Sequence, residues 1–372
     1  MKKDKFTHWA ILQKALDKES LSRQEIACLL ESSPGQETDS LFKTARQLRK
    51  NYFDNKIFLY GFVYNSTHCR NNCQFCYYRK DNTTSLRYSK SRTEILDISC
   101  KLAESGVHLI DLTMGESISF HDNIVEQVQK LGSIISDIKS QTHLPVMVSP
   151  GVLPEWALKQ MAQSGADFYA CYQETHNPEL FSQLRTGQSF SERLAVKQKA
   201  AEFNLLIEEG ILCGVGETLK DVIDSFDVMK TLNIDQTRVM GFVPQMGTPM
   251  ENHPVADIKM ELIILAVLRL LFPDRLIPAS LDVEGVSGLA KRLDAGANVV
   301  TSIVPAGKGL AGVAQNSLDI EDSRRTVAQV KKILLSCGNY EIARPEMYNA
   351  WITQRKKDKL NFLIPLQNLK AI

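Results

Sequence analysis

From residue 57 onward the chain switches between short β-rich runs and helical stretches, and it does so eight times. The runs are 57–66 (IFLYGFVYNS), 109–115 (LIDLTMG), 145–151, 167–174, 204–215, 237–244, 276–284 and 298–305. They are rich in β-branched and aromatic residues. The segments between them, such as SRTEILDISCKLAESG and IKMELIILAVLRLLFP, repeat apolar residues at helical spacing. Strands that alternate with helices pair in parallel. Eight such units over about 250 residues predict an α/β fold, an eight-stranded (β/α)8 barrel of TIM type; an open doubly wound sheet is the alternative.

Residues 1–53 read as an N-terminal helical extension, 54–317 as the barrel, and 318–372 as a charged, helical C-terminal segment packed on it. The stretch TDSLFKTARQLRKNYF opens on Thr38, Asp39 and Ser40 as a cap region, and RKKDK (355–359) reads as a solvated helix face.

The 44 basic and 43 acidic residues leave a net charge of +1, so no long-range field recruits nucleic acid or an anionic membrane. No apolar run reaches the roughly 18 residues of a membrane span. The apolar run behind the N-terminal lysines is broken by Gln13, Lys14 and Asp17, which predicts a surface helix rather than a signal peptide. A cytoplasmic, reduced protein is expected, with Cys28, Cys100, Cys171, Cys213 and Cys337 as free buried thiols.

Barrel chemistry sits at the C-terminal ends of the strands. Just beyond the first run, Cys69, Cys73 and Cys76 form C-x3-C-x2-C. Structural zinc takes four closed ligands, and His68, adjacent to Cys69, is poorly placed as the fourth. A redox dithiol needs only Cys73 and Cys76. A four-iron cluster on three thiolates keeps one iron open for a ligand that is not protein.

That spacing, at the end of the first strand of a barrel, resembles the radical S-adenosylmethionine enzymes. The resemblance implies a [4Fe-4S] cluster on Cys69, Cys73 and Cys76, with S-adenosylmethionine chelating the open iron through its methionine end. It implies Phe75 near adenine, and Gly115 and Glu116 of TMGE at the methionine amino group, although TMGE has only one of the glycines usual there. It further implies Glu174 of YQET on the ribose hydroxyls, Arg193 of SFSERL on the methionine carboxylate, and Gly214 and Gly216 of GVGE in the strand beside adenine. The N-terminal helices, cysteine loop and barrel resemble the biotin-synthase-like group, but a second compact cysteine cluster for sulfur insertion is missing.

Within that group VHLIDLTMGE, YQET, TRVMGFVPQMGTP, LIPASLDVEG and RLDAGANVVTSIVP, in this order, resemble the methylornithine synthase family of pyrrolysine biosynthesis. This implies rearrangement of L-lysine to (3R)-3-methyl-D-ornithine: hydrogen abstraction by a 5′-deoxyadenosyl radical, fragmentation of the carbon skeleton, and recombination. No catalytic side chain is implied beyond the cluster and that radical. The partners implied are L-lysine and a low-potential electron donor such as flavodoxin or ferredoxin.

A dry barrel must pair the carboxylate and both ammonium groups of lysine. Arg238 offers a bidentate partner for the carboxylate. Asp111, sharing a strand face with Thr113, and Ser280 with Asp282, two apart on another strand, suit the ammonium groups. The resemblance implies the same four residues; an internal salt-bridge layer is the alternative. Which of Glu208, Glu209 and Glu284 face inward is left open by the sequence.

Overall fold

The computed structural model describes residues 7–306, 325–338 and 340–370. Eight parallel strands, β1 (Lys56–Ser66), β2 (Leu109–Met114), β3 (Val146–Ser149), β4 (Phe168–Ala170), β5 (Leu206–Cys213), β6 (Gln236–Gly241), β7 (Pro278–Ser280) and β8 (Val299–Ile303), follow the order β6-β5-β4-β3-β2-β1-β8-β7. A single bridge, Gln236 to Leu276, joins β6 to the segment leading into β7 and brings the (β/α)8 barrel nearly to closure. A ninth strand, β9 (Glu341–Ile342), pairs with the start of β1.

Two strands are much shorter than their β-rich runs. Beyond Ala170 the chain leaves the ladder and returns at Glu174, whose φ of 68° is left-handed and which bridges Ile211. β7 pairs only with β8 over three residues. Both departures place polar side chains at the barrel mouth.

A large apolar layer lies between the strands and their surrounding helices. A second cluster fills the barrel at the N-terminal ends of the strands, where Phe58, Tyr60, Leu109, Phe168, Leu206 and Val299 meet Tyr348 and Ile352. Tyr348 lies on the C-terminal helix Pro345–Lys370, so this helix plugs the barrel floor. Its RKKDK stretch is not a solvated face: Arg355 and Lys359 are buried on Asp235, and Lys356 holds Asp167. The apolar stems of these side chains cover the floor while their charges reach aspartates at the strand starts. The boundary at 317/318 lies outside the described residues.

The N-terminal helices His8–Leu16, Arg23–Leu30 and Gln36–Phe53 pack together, the last two against the barrel's outer helices Leu219–Thr231, Ile258–Leu271 and Leu289–Asp294. Gln36–Phe53 starts earlier than the Thr-Asp-Ser signal suggests, capped by Gly35 at φ 94°, so Asp39 sits inside the first turn. There it complements the helix dipole. Cys171 and Cys213, at strand ends, are buried, whereas Cys28 and Cys100 on helices and Cys337, a helix C-cap, are only half-buried.

Candidate active site

The C-terminal ends of the strands surround one cavity, and Cys69, Cys73 and Cys76 line its wall together. Arg87 shapes the cysteine loop by donating to the carbonyls of Thr67, Tyr78, Arg79 and Asn82. β2 meets it closely: a Cβ on Gly115 would come within 2.4 Å of the His68 carbonyl oxygen. Only glycine lets the two backbones approach so far. The Cys73 sulfur accepts from Gln188 Nε2 at 3.1 Å and lies 3.6 Å from Arg185. Burial, reinforced by the neighbouring thiols, raises the pKa of Cys69 and Cys76. Among the described residues no three His, Cys, Asp or Glu side chains converge as a single metal ion requires. Three thiols spread around a common space fit the larger cluster instead. His68 is exposed on the outer side of the loop.

Next to the thiols stand two acid–arginine pairs. Glu116 meets Arg193 at 3.0 Å, and Glu174 meets Arg185 at 2.7 Å. Arg193 comes from helix Phe190–Glu202 and also donates to the Tyr172 carbonyl. Glu116 lies over Gly151, where a Cβ would come within 2.1 Å of its side chain. Burial opposes ionisation of Glu116, but Arg193 outweighs it and lowers the pKa; at Glu174 burial prevails over Arg185 and the pKa is raised. Phe75 lines the cavity, with the Arg185 guanidinium 5.4 Å from its ring centre.

Gly214 and Gly216 are not on the wall. Their φ values of 81° and 104° turn the chain out of β5, and Glu217 accepts from the amides of Gly214 and Val215. The part of β5 that does line the cavity is Gly210, Ile211 and Leu212, because the barrel wall ends before the GVGE turn.

Deeper in the cavity lies a second charged group. Arg238 Nε donates to Glu208 at 2.9 Å, and the Tyr172 ring centre lies 5.4 Å from its guanidinium. Asp111 accepts from Thr113 at 2.8 Å and forms no ion pair among the described residues. Burial and nearby Glu208 push its pKa up to about 7. Asp282 is already held by Arg325 at 2.6 Å and by Ser302. Burial opposes its charge, but these partners outweigh it and lower its pKa. Ser280 is not on the wall; it donates to Asp282 at 3.0 Å from behind.

The pleat decides the glutamates left open by the sequence. Glu208 faces the barrel interior, while Glu209 points outward to Lys197 and His176, which outweigh burial and lower its pKa to about 2. Glu284 meets Arg292 and Lys291 outside the cavity.

Residues 63–229 match the Radical SAM superfamily. The 3-methylornithine synthase of Methanosarcina acetivorans is 42% identical over 326 residues, covering 88% of this chain and 92% of that protein. The chain belongs to the 3-methylornithine synthase family. The Methanosarcina barkeri 3-methylornithine synthase is 40% identical over 87% of this chain and 91% of its own. A crystal structure of methylornithine synthase superposes with a TM-score of 0.85 at 38% identity, covering 92% of this chain and 99% of that one. Like other 3-methylornithine synthases this is a radical enzyme, with a [4Fe-4S] cluster and S-adenosylmethionine as cofactors.

In this family member, sequence reasoning passed over Arg185, Gln188, Tyr172 and Arg325. The first three lie in or beside motifs that were legible, YQET and SFSERL, but nothing in their spacing tells that they reach the cysteines or Arg238. Arg325 lies 43 residues from Asp282. Only the folded chain brings them together.

Proposed function

We propose that this protein is a lysine mutase, converting L-lysine to (3R)-3-methyl-D-ornithine, with Cys69, Cys73 and Cys76 as the cluster ligands. One observation carries the substrate: the charge balance of the inner group. Among the described residues Arg238 and Arg325 face Glu208, Asp111 and Asp282, which leaves one negative charge in excess once Asp111 ionises. L-Lysine, with two ammonium groups and one carboxylate, brings one positive charge. Among the described residues Asp111 is the acid without an ion-pair partner, and an ammonium group beside it would oppose the burial and the Glu208 charge that raise its pKa.

When bound, the cofactors supply a 5′-deoxyadenosyl radical that removes a hydrogen atom from the substrate. The chain's own residues position and isolate. Glu116 and Arg193 face each other as acid and base, the complement of an amino acid zwitterion, and take the methionine end of the cofactor. Glu174 takes the ribose hydroxyls, and Phe75 lies by adenine. Arg238 takes the lysine carboxylate while Glu208 fixes the plane of its guanidinium. Asp111 and Asp282 take the ammonium groups, and Ser280 orients Asp282. The surrounding Phe62, Tyr64, Met240 and Phe242 keep water away from the reacting carbons.

All eight cysteines are free, which supports a reducing compartment; the electron comes from a low-potential carrier such as flavodoxin or ferredoxin. The test is anaerobic incubation with lysine, S-adenosylmethionine and dithionite. A product of unchanged mass and new retention, matching 3-methylornithine, is expected. Cofactor cleavage with lysine recovered unaltered, but another amino acid rearranged, refutes the substrate.

A further inference from the structure

Cys69 lines the inner cavity and also a depression on the outer surface of the barrel mouth. Lys80, Arg87, Ile118 and Asp122 share that depression. A second depression adjoins it through Ser89, Ser117 and Ser119, and adds Lys90, Arg92 and Lys130. The charge here departs from the rest of the chain. Residues 65–92 hold six basic side chains and one acid, Asp81, while all other residues hold 38 basic and 42 acidic ones. Across this face Asp137 neutralises Arg92 and Glu126 neutralises Lys130, but Lys80 is exposed and makes no ion pair among the described residues. Apolar side chains are exposed here too: Ile118, in the first depression, and Leu86, next to Arg87 in sequence, are each 51% exposed. Basic residues around exposed apolar side chains, at the point where a thiol nears the surface, are the features of a surface that meets an acidic partner.

We propose that this face docks a small acidic one-electron carrier of the flavodoxin or ferredoxin class, whose electron enters beside Cys69. The proposal rests on the radical reading above. The carrier loses one electron, the cluster gains it, and no atom or proton is transferred. The basic loop steers an acidic partner from a distance, and a small encounter surface suits repeated docking and release.

The holoenzyme, Lys80→Glu, Lys90→Glu and the double variant are titrated with an oxidised flavodoxin and an oxidised ferredoxin at low and high salt. Neither lysine touches the inner cavity. Wild type is expected to bind at least one carrier more weakly as salt rises, and the double variant to bind it at least tenfold more weakly at low salt. Formation of 5′-deoxyadenosine driven by that carrier, once reduced, falls in parallel, while the dithionite-driven rate stays within twofold. The proposal is overturned if wild type binds neither carrier, if the double variant keeps wild-type affinity, or if both reductants lose rate equally. Absence of dithionite-driven cleavage in wild type overturns the radical reading instead, and the binding titration still reports on the face.

Discussion

Asp111 carries the clearest pH signature. Its folded pKa of about 7 lies above the ordinary 3.8. The folded protein therefore holds this proton more tightly than the unfolded chain, and the resulting stability is complete below about pH 4, declines as pH rises, and is gone above about pH 7. Asp111→Asn removes the decline, so its melting temperature relative to wild type should climb between about pH 4 and 7. A lysine ammonium group favours the ionised form, so wild-type lysine affinity should rise through the same window and that of the variant should not. Arg238→Lys keeps the charge but loses the fork that grips Glu208 and a carboxylate together. Turnover should drop by about 10- to 100-fold, or about 1.4–2.8 kcal/mol, with iron content unchanged. Alanine at Cys69, Cys73 or Cys76 should abolish iron binding outright. Alanine at buried Cys171 or Cys213 should keep the iron and cost about 1–3 kcal/mol in denaturant unfolding.

Among the elements, the end of β2 and helix Phe190–Glu202 bring Gly115, Glu116 and Arg193 to the cavity wall beside the cysteines. Gly115→Ala puts a methyl group against the His68 carbonyl, which only a shift of the cysteine loop relieves. Iron per chain should fall while the circular dichroism of the barrel persists. The helix carries Arg193 into the cavity and, one turn later, Lys197 onto Glu209 outside it. Glu209 also accepts from the amides of Gln173 and Gly210, so this buried pair fastens the turn that bears Glu174. Lys197→Met leaves the Glu209 carboxylate uncompensated, and a loss of about 3–5 kcal/mol is expected from urea unfolding.

At the level of the whole molecule, site and floor occupy opposite ends of one barrel. Tyr348 fills the floor, donating to the Tyr60 hydroxyl at 2.6 Å and packing on Phe58 and Trp351. Tyr348→Ala should cost about 3–5 kcal/mol through the lost contacts and the cavity left behind. Iron content and cofactor cleavage, measured below the new unfolding midpoint, should remain at wild-type values. If iron is lost together with stability, the two ends are coupled and the floor supports the site directly.

Local rules governed what could be read from the chain alone. Period-two and helical apolar patterns encode strands and helices because burial follows backbone geometry, so the eight units and their order were legible. The C-x3-C-x2-C spacing was legible because the three cysteines lie on one contiguous loop. Asp111, Arg238 and Asp282 stood out as charges inside apolar strands, and all three line the cavity. What remained hidden depended on distance along the chain. Glu208 and Glu209 differ by one residue, and only the register of β5 against β6 decides which meets Arg238. RKKDK looks solvent-facing until the C-terminal helix folds back onto Asp235 and Asp167. Asp282 looks free until Arg325 arrives from the far side of β8. Charge pairing acts through space and is indifferent to sequence separation, so the partners of the buried charges were decided only by the closed barrel.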